Sequence, residues 1–298
     1  MLDIKIVRNR NLLPVNRNRI NIILVQYVIS VELERSKAAM WKWEADNPKG
    51  VIIIVHGAAE HHGRYKWLTE MWRSSGYHVI IGDLPGQGTT SRIRGHISSF
   101  DEYIDVVTAW ITEGKKFGLP IFLLGHSMGG LILIRSLQRK HQSVNGVILS
   151  SPCLGIIYKP NKAINFISKG LNVLAPSFKV DSNLSVELAT RNDLVRMQDE
   201  NDSLYVTKVS VRWYRELVDA MELAHEEVKK FADIPLLVMQ SGTDKIVDKA
   251  KVKSWFNKVD IHEKTYKEWK GLYHEIFNEP EREEVFEAAR RFVEGHLN

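Results

Sequence analysis

The sequence predicts an α/β fold, in which helices flank a mostly parallel sheet, and two patterns support this prediction. From Val51 onward, short apolar runs alternate with longer segments of helical periodicity, as in chains built from βαβ units. Each of the early apolar runs also ends in a loop that contains glycine. The composition, with 44% hydrophobic and 26% charged residues, is that of a globular protein and excludes disordered and fibrous classes.

Six apolar runs are predicted to be strands, and five segments of helical periodicity are predicted to be helices. The strands are expected at residues 51–55, 78–81, 121–124, 147–150, 234–240 and 263–268. The helices are expected at residues 65–74, 100–117, 128–141, 249–257 and 281–294. Pro280 and Gly295 frame the last helix, because proline is favoured at a helix start and glycine at its end.

A long interval separates the fourth predicted strand from the fifth. Residues 152–233 of this interval number 82, whereas a whole βαβ unit needs about 30. We therefore expect an insertion at residues 153–232, with the α/β core formed by residues 40–152 and 233–298. Helix-like segments recur in this interval near residues 162–174, 186–188 and 209–230.

The first of these inserted helices carries an apolar stripe. Ile164, Ile167, Leu171 and Leu174 repeat at offsets of three, seven and ten residues, which places them on one helix face. The favoured interpretation is that this stripe packs on the protein core. The alternative is that part of the stripe roofs a pocket for an apolar substrate.

The charge distribution argues against a nucleic-acid partner. The chain has 41 Lys plus Arg and 36 Asp plus Glu, which gives a formal net charge of +5. Residues 1–39 hold seven bases and three acids and so account for +4, which leaves +1 for the other 259 residues. A nucleic-acid binder is expected to spread its basic residues over a folded face, so we exclude this class.

Two interpretations fit the basic N-terminal extension, residues 1–39. It is either a non-native stretch upstream of a natural start at Met40, or a tether for a membrane surface, where a basic residue contributes about 1 kcal/mol. The apolar run at residues 20–31 is shorter than the roughly 20 residues of a spanning helix.

The single Cys153 excludes an intramolecular disulfide and suits a reducing compartment. We expect a cytoplasmic location, with peripheral membrane contact as an open alternative.

The strongest local signal for chemistry is the segment Gly125-His126-Ser127-Met128-Gly129. It lies between a predicted strand and a predicted helix, the context in which a nucleophilic serine occupies a strained turn with glycine neighbours. A serine hydroxyl needs a histidine base, and the base needs a carboxylate that orients it. The sequence therefore predicts that Ser127 is the nucleophile of a hydrolytic triad.

The acid and then the histidine of such a triad follow the serine along the chain. Asp244 lies in the loop after the fifth predicted strand, whereas Asp248 is better suited to cap the next helix. Among the later histidines, His262 opens a strand and His296 lies near the chain end, while His274 follows the last strand. We expect Asp244 and His274 to complete the triad.

Two backbone amides are expected to stabilise the oxyanion that forms during acyl transfer. One belongs to Met128, directly after the nucleophile, and the other to Ala58, in the loop after the first core strand.

Three histidines lie in that loop, but no His-Glu-x-x-His helix and no cysteine cluster supports a metal site. We expect neither a metal nor another cofactor. The glycine-rich stretch at residues 82–88 lacks the lysine of a phosphate loop and is interpreted as a structural turn.

With these residues assigned, the chain resembles the serine hydrolases of the α/β-hydrolase superfamily. It is most similar to the branch of monoacylglycerol lipases and lysophospholipases, which are relatives of the serine-aminopeptidase-like group. The resemblance extends from Met40 to about Glu294. Its marks are His56-Gly-Ala-Ala-Glu-His-His-Gly-Arg-Tyr65, Asp83-Leu-Pro-Gly-Gln-Gly88, Gly125-His-Ser-Met-Gly-Gly130, Gly242-Thr-Asp-Lys-Ile-Val-Asp248 and Tyr273-His-Glu275.

The resemblance implies an α/β-hydrolase fold with a helical cap at residues 153–232 over a tunnel for the acyl chain. It also implies the triad and oxyanion amides named above. Glu60 and Arg64 become candidates for contact with the glycerol or headgroup, with an ordinary surface ion pair as the alternative. Two positions depart from the family pattern, because Ala59 replaces a common glycine and Gln87 replaces a common histidine.

Together these features predict a serine carboxylic-ester hydrolase that cleaves a small single-chain lipid ester, a lysophospholipid or a monoacylglycerol, through an acyl-enzyme. The same triad serves amidases, aminopeptidases and acyltransferases, which remain alternatives. A noncatalytic, hydrolase-like binding protein is a further alternative, although such proteins usually lack a triad residue and all three positions are filled here.

Overall fold

The computed structural model describes residues 40–89, 93–140, 142–158, 162–182 and 184–297. The N-terminal extension at residues 1–39, and with it both interpretations of that segment, lies outside the described residues.

The described residues form nine strands. They are β1 (Met40–Trp43), β2 (Gly50–Val55), β3 (Tyr77–Gly82), β4 (Ile121–His126), β5 (Gly146–Ser150), β6 (Lys179–Asp181), β7 (Lys208–Ser210), β8 (Leu236–Ser241) and β9 (Lys264–Trp269). Seven of them build one sheet in the order β1-β3-β2-β4-β5-β8-β9. Neighbouring strands in this sheet run parallel except for β1 and β3, which run antiparallel. The predicted α/β class and all six predicted strands are confirmed.

Nine α-helices accompany these strands in the described part of the chain. They are α1 (Lys66–Ser74), α2 (Asp101–Lys115), α3 (Met128–Arg139), α4 (Lys162–Leu174), α5 (Val186–Ala189), α6 (Asp193–Glu200), α7 (Val211–Glu226), α8 (Lys249–Lys258) and α9 (Arg282–Gly295). The five predicted core helices correspond to α1, α2, α3, α8 and α9. The two faces of the sheet carry separate hydrophobic clusters, one with α2 and α3 and the other with α1 and α9.

Strand β2 shows why the core strands appear in the sequence as continuous apolar runs. All six of its residues are buried. Ile53 belongs to the same cluster as Trp110 of α2, while its neighbour Ile52 belongs to the cluster of Trp72 and Phe286, from α1 and α9. Helices therefore cover both faces of the strand, and successive side chains enter opposite layers.

The predicted insertion corresponds to the segment between β5 and β8. It contains α4, α5, α6 and α7, together with a two-stranded antiparallel sheet of β6 and β7. The helix-like segments expected in this interval match α4, α5 and α7, whereas α6 and the small sheet were not predicted. The outer surface of α4 is unusually apolar, because Phe166 is 78% exposed and Leu174 is 85% exposed.

The loops that follow β4, β8 and β9 carry Ser127, Asp244 and His274. These three strands are parallel, so their carboxyl ends meet at the same edge of the sheet. This is the edge where parallel α/β sheets collect their functional residues.

Candidate active site

Ser127 occupies a sharp turn between β4 and α3. Its backbone has φ 52° and ψ −118°, a strained conformation for a residue with a side chain. The flanking glycines are required by close contacts: a Cβ on Gly125 would lie 2.7 Å from the carbonyl oxygen of Gly129, and a Cβ on Gly129 would lie 2.0 Å from that of Val55. The Gly-x-Ser-x-Gly spacing is therefore a steric requirement of this turn.

His274 joins the other two predicted triad residues. Its Nε2 lies 2.8 Å from Ser127 Oγ, and its Nδ1 lies 2.9 Å from Asp244 Oδ2. The Asp244 side chain is fully buried, and its Oδ1 accepts hydrogen bonds from the amides of Ile246 and Val247. The serine, histidine and carboxylate thus form one continuous hydrogen-bonded line.

The alternatives considered for the acid and the base lie elsewhere. Asp248 caps α8, where its carboxylate accepts a hydrogen bond from Ala250 N at 3.0 Å. His262 pairs with Asp233 on the surface, and His296 pairs with Glu263. None of these three residues lines the cavity above Ser127.

The electrostatic environment suits His274 for proton transfer. Burial disfavours the imidazolium, but the charge of Asp244 and its hydrogen bond outweigh burial and raise the pKa of His274. Burial likewise opposes ionisation of Asp244, yet His274 and the two backbone amides lower the pKa of Asp244. The pair is therefore set up as an ionised carboxylate that supports an imidazole base.

The two predicted oxyanion amides belong to different segments near Ser127. Met128 is the first residue of α3, so its amide is free of the helical hydrogen-bond ladder. Ala58 lies in the loop after β2 and lines the cavity. This loop is held on both sides of Ala58: Gly57 N donates to Glu60 Oε2 at 2.6 Å, and the carbonyl of Ala59 accepts from Val206 N at 3.0 Å.

Ala59, the first of the two departures from the family pattern, adopts φ 68°. The loop therefore keeps the left-handed conformation that glycine favours, at the cost of some strain. Gln87, the second departure, is buried in its turn. In the same turn Gly88 has φ 59°, and a Cβ there would lie 2.2 Å from the carboxylate of Asp83, which confirms the stretch as a structural turn.

Glu60 and Arg64 form a buried ion pair, so the surface interpretation is wrong for them. The Arg64 guanidinium binds three carboxylates from three parts of the chain, those of Glu60, Asp199 and Glu275. Glu60 and Glu275 line the cavity, while Arg64 lies behind them. The pairing with Asp199, which belongs to α6, was not predicted, because 135 residues separate it from Arg64.

This network leaves an acceptor-rich end of the cavity next to His274. Burial raises the pKa of Glu60 despite the charge of Arg64. Burial would also raise the pKa of Glu275, but Arg64 holds it below the usual range of a glutamate. Burial and the neighbouring His274 lower the pKa of His126 to about 3, so this ring is neutral.

Among the described residues, two groups of side chains have ligand atoms close enough together to hold a metal ion: His61, His62 and Asp83, and Glu60, His126 and Glu275. In the first group, the ring nitrogens of His61 already contact Asp202 and the amide of Gly63. In the second group, both carboxylates pair with Arg64. Most of the nitrogen and oxygen atoms that could ligate a metal in these two groups are thus already bonded to other protein groups.

A cavity of about 680 Å³ opens above Ser127, and most of its lining is apolar. Three members of the α4 stripe, Ile164, Ile167 and Leu171, line it. The interpretation that the stripe packs on the core is therefore wrong for these three residues, and the pocket interpretation applies. Leu174, the fourth, is exposed and does not line the cavity.

Cys153 also lines the cavity but has no nucleophilic character. Burial raises the pKa of its thiol to about 12, and its sulfur lies 3.8 Å from Met221 Sδ. The sequence interpretation of Cys153 as a small apolar residue agrees with these contacts.

A sequence profile of the family described as serine aminopeptidase, S33, matches residues 46–281. The chain belongs to this family of α/β-hydrolases. Phospholipase YtpA of Bacillus subtilis is 63% identical over 259 residues, which cover 87% of this chain and 100% of that protein. A monoacylglycerol lipase of Mycolicibacterium smegmatis is 28% identical and covers 86% of this chain and 92% of its own length.

The solved structures agree with this assignment. The crystal structure of Paleococcus ferrophilus monoacylglycerol lipase has a TM-score of 0.79 and 31% identity, over 86% of this chain and 98% of that one. The S33 member described here is therefore an α/β-hydrolase of the monoacylglycerol lipase branch, a hydrolase that acts on esters.

Proposed function

We propose that this S33 hydrolase cleaves single-chain lipid esters, namely lysophospholipids and monoacylglycerols, through an acyl-enzyme on Ser127. The observation that carries the proposal is the position of the Ser127–His274–Asp244 line at the floor of a mostly apolar cavity. An apolar cavity with a few polar groups suits a ligand with an acyl chain and a small polar end. The names of the relatives, phospholipase and monoacylglycerol lipase, support the same substrate class.

The proposed reaction begins when Ser127 Oγ attacks the ester carbonyl and His274 Nε2 takes its proton. The amides of Ala58 and Met128 stabilise the oxyanion, and such a donor contributes roughly 10²–10³ to kcat. His274 then donates the proton to the departing alcohol, and the acyl group stays on Ser127. Water, deprotonated by His274, releases the fatty acid, while Asp244 holds the imidazole in position throughout.

We further propose that the acceptor-rich end of the cavity receives the alcohol part of the substrate. Glu60, His126 and Glu275 face this end, beside the imidazole that protonates the leaving oxygen. Carboxylate oxygens and a neutral imidazole nitrogen accept hydrogen bonds from hydroxyl groups. The contribution of Arg64 is indirect in this proposal, because it positions the two glutamates and does not line the cavity.

Residues 153–232 act in this proposal as a cap on a core of residues 40–152 and 233–298. The cap supplies much of the apolar lining, including Leu184, Val209, Trp213 and Leu217. Acyl chains that enter the cavity would therefore bind mainly to the cap, whereas the reacting groups belong to the core.

Peripheral membrane contact is also part of the proposal, through the outer face of α4. Phe166, Val173 and Leu174 are each more than three-quarters exposed there, and exposed apolar patches of this kind mark interaction surfaces. None of the described helices is long and apolar enough to cross a bilayer. The apolar face lies on the same helix as the cavity-lining Ile164 and Ile167, so a lipid could pass from the membrane into the cavity over a short distance.

A substrate panel tests the proposal. The purified protein is given lysophospholipids, monoacylglycerols of graded chain length and aminoacyl amides, each with the Ser127→Ala variant as a control. We expect hydrolysis of the lipid esters by the wild type and none above background by Ser127→Ala. Turnover of the amides in preference to the lipids would instead support the aminopeptidase alternative, and turnover by Ser127→Ala would contradict the mechanism.

A further inference from the structure

Lys245 is the one lysine or arginine among the described residues that line the cavity. Its side chain is half-buried. Within the described residues, no carboxylate lies at salt-bridge distance from its ammonium group. The ammonium instead lies 3.7 Å from the centre of the Tyr273 ring. A cation that lines a substrate cavity without a carboxylate partner is available to an anionic group of the substrate.

Lys245 lies next to the loop that carries His274. Lys245 directly follows Asp244, and Tyr273 directly precedes His274. The contact between Lys245 and Tyr273 therefore holds the ammonium beside the loop that carries the imidazole. Because His274 protonates the leaving alcohol, that alcohol must lie against this loop during the reaction.

The acceptor-rich end of the cavity is unsuited to an anion. Glu60 and Glu275 contribute only acceptor oxygens when ionised, and the neutral His126 adds no charge. Arg64 is the cation nearest to these glutamates, but its guanidinium is already bound to three carboxylates and lies outside the lining. A phosphate at this end would meet like charge, whereas a glycerol hydroxyl would find acceptors.

We propose that Lys245 binds the phosphate of a lysophospholipid headgroup and so determines the specificity between lysophospholipids and monoacylglycerols. The inference rests on the function proposed above and adds a site for the phosphodiester. Ammonium and phosphate form charge-assisted hydrogen bonds, which are stronger than bonds between neutral groups. The hydroxyl groups of the glycerol bind to Glu60 and Glu275, and the phosphate binds at the Lys245 side of His274.

The experiment compares two substrates with the same acyl chain, a lysophosphatidylglycerol and a monoacylglycerol, in micelles of a neutral detergent. The readout is the ratio of kcat/KM for the two substrates. We expect Lys245→Gln to lower the lysophospholipid-to-monoacylglycerol ratio about tenfold, since a hydrogen bond to a charged group is lost. Lys245→Arg should restore most of the ratio, because it keeps the charge.

Lys253→Gln is the matched control. Lys253 also packs its ammonium over an aromatic ring, 3.8 Å from the centre of Tyr266, but it does not line the cavity. We expect this variant to keep the wild-type ratio. Added NaCl should lower the wild-type kcat/KM for the lysophospholipid more than that of Lys245→Gln, because salt screens the ion pair.

Three outcomes would overturn the inference. The first is an unchanged ratio in Lys245→Gln, which leaves the proposed function intact. The second is an equal loss for both substrates that appears only when the micelles contain an anionic detergent, which would assign Lys245 to the membrane surface. The third is the absence of hydrolysis of either lipid by the wild type, which would overturn the proposed function as well.

Discussion

Phe122 and Phe166 are both phenylalanines, but one is buried in the core and the other is exposed on the insertion. Phe122 lies on β4, the strand that leads into the turn of Ser127, and is completely buried. Phe166 lies on α4 of the insertion and is 78% exposed. The comparison shows that the proposed reacting groups are fixed by a closed core, while part of the apolar lining comes from a helix that leaves another face uncovered.

Several contacts near the proposed reacting groups join the two regions. Arg64 binds Asp199, and His61 Nε2 lies 2.6 Å from Asp202 Oδ2. Backbone bonds add to these side-chain contacts, since Val206 N donates to the carbonyl of Ala59. The insertion therefore contacts the loop that carries the proposed oxyanion amide, in addition to lining the cavity.

The largest effect should come from a change confined to the core. We expect Asp244→Asn to lower kcat on a short p-nitrophenyl ester roughly 10⁴-fold, because the amide no longer supports the required imidazole tautomer. Asp248→Asn is the control: asparagine also caps helices well, so kcat should stay near the wild-type value. Comparable losses in both variants would contradict the assignment of the acid.

A second change removes one of the contacts between the two regions. Arg64→Met leaves the buried carboxylates of Glu60, Asp199 and Glu275 without their cation, so we expect a loss of about 3–5 kcal/mol in the free energy of unfolding. Urea denaturation followed by tryptophan fluorescence measures this loss. Arg73→Met removes an exposed pair with Glu70 and should leave stability nearly unchanged; a loss there as large as for Arg64→Met would refute the distinction.

A third change tests the comparison of the two phenylalanines directly. Phe122→Ala should cost about 3–5 kcal/mol of unfolding free energy, because it opens a cavity in a closed core. Phe166→Ala should change it by no more than about 0.5 kcal/mol, since the ring is exposed. Binding of Phe166→Ala to lipid vesicles, measured by sedimentation, should nevertheless fall. Equal destabilisation by the two substitutions would contradict the described packing.

The smallest expected effect is a shift in the pH at which activity is lost. His274 must be neutral to accept a proton, and its pKa is raised above the ordinary histidine value of about 6.5. Activity should therefore be lost as the pH falls through a value above 6.5. The pH profile of kcat/KM on the short ester measures this acid limb, with intrinsic fluorescence as a control for folding. A limb at or below 6.5 in a folded protein would show that Asp244 does not support the imidazolium.

Sequence patterns were sufficient to predict the strands, the helices and the serine turn of the core. The steric and hydrophobic requirements of these features are local in the sequence. Gly125 and Gly129 are fixed by contacts within the turn, and the apolar runs report strands that are buried on both faces. All the candidate acids and histidines follow Ser127 in the chain, so it was their positions in the loops after predicted strands that selected Asp244 and His274. Strand β1 escaped prediction because it is only four residues long and none of its residues is fully buried.

The insertion was less predictable because its contacts are not local. The periodicity of Ile164, Ile167 and Leu171 identifies a shared helix face, but the pattern is the same whether that face meets a packed core or a cavity. The pairing of Arg64 with Asp199 leaves no periodic signal at all. The glutamate that follows His274 was the available clue to this network, because its position beside the base required a compensating cation.

Labelling with a fluorophosphonate tests the central claim most directly. The protein is titrated with the probe, the residual hydrolysis of a monoacylglycerol is measured, and the adduct is mapped by peptide mass spectrometry. We predict one adduct per chain, located on Ser127, with activity falling in proportion to occupancy. Undiminished hydrolysis in fully labelled protein, or an adduct on another residue that accounts for the loss, would contradict the account.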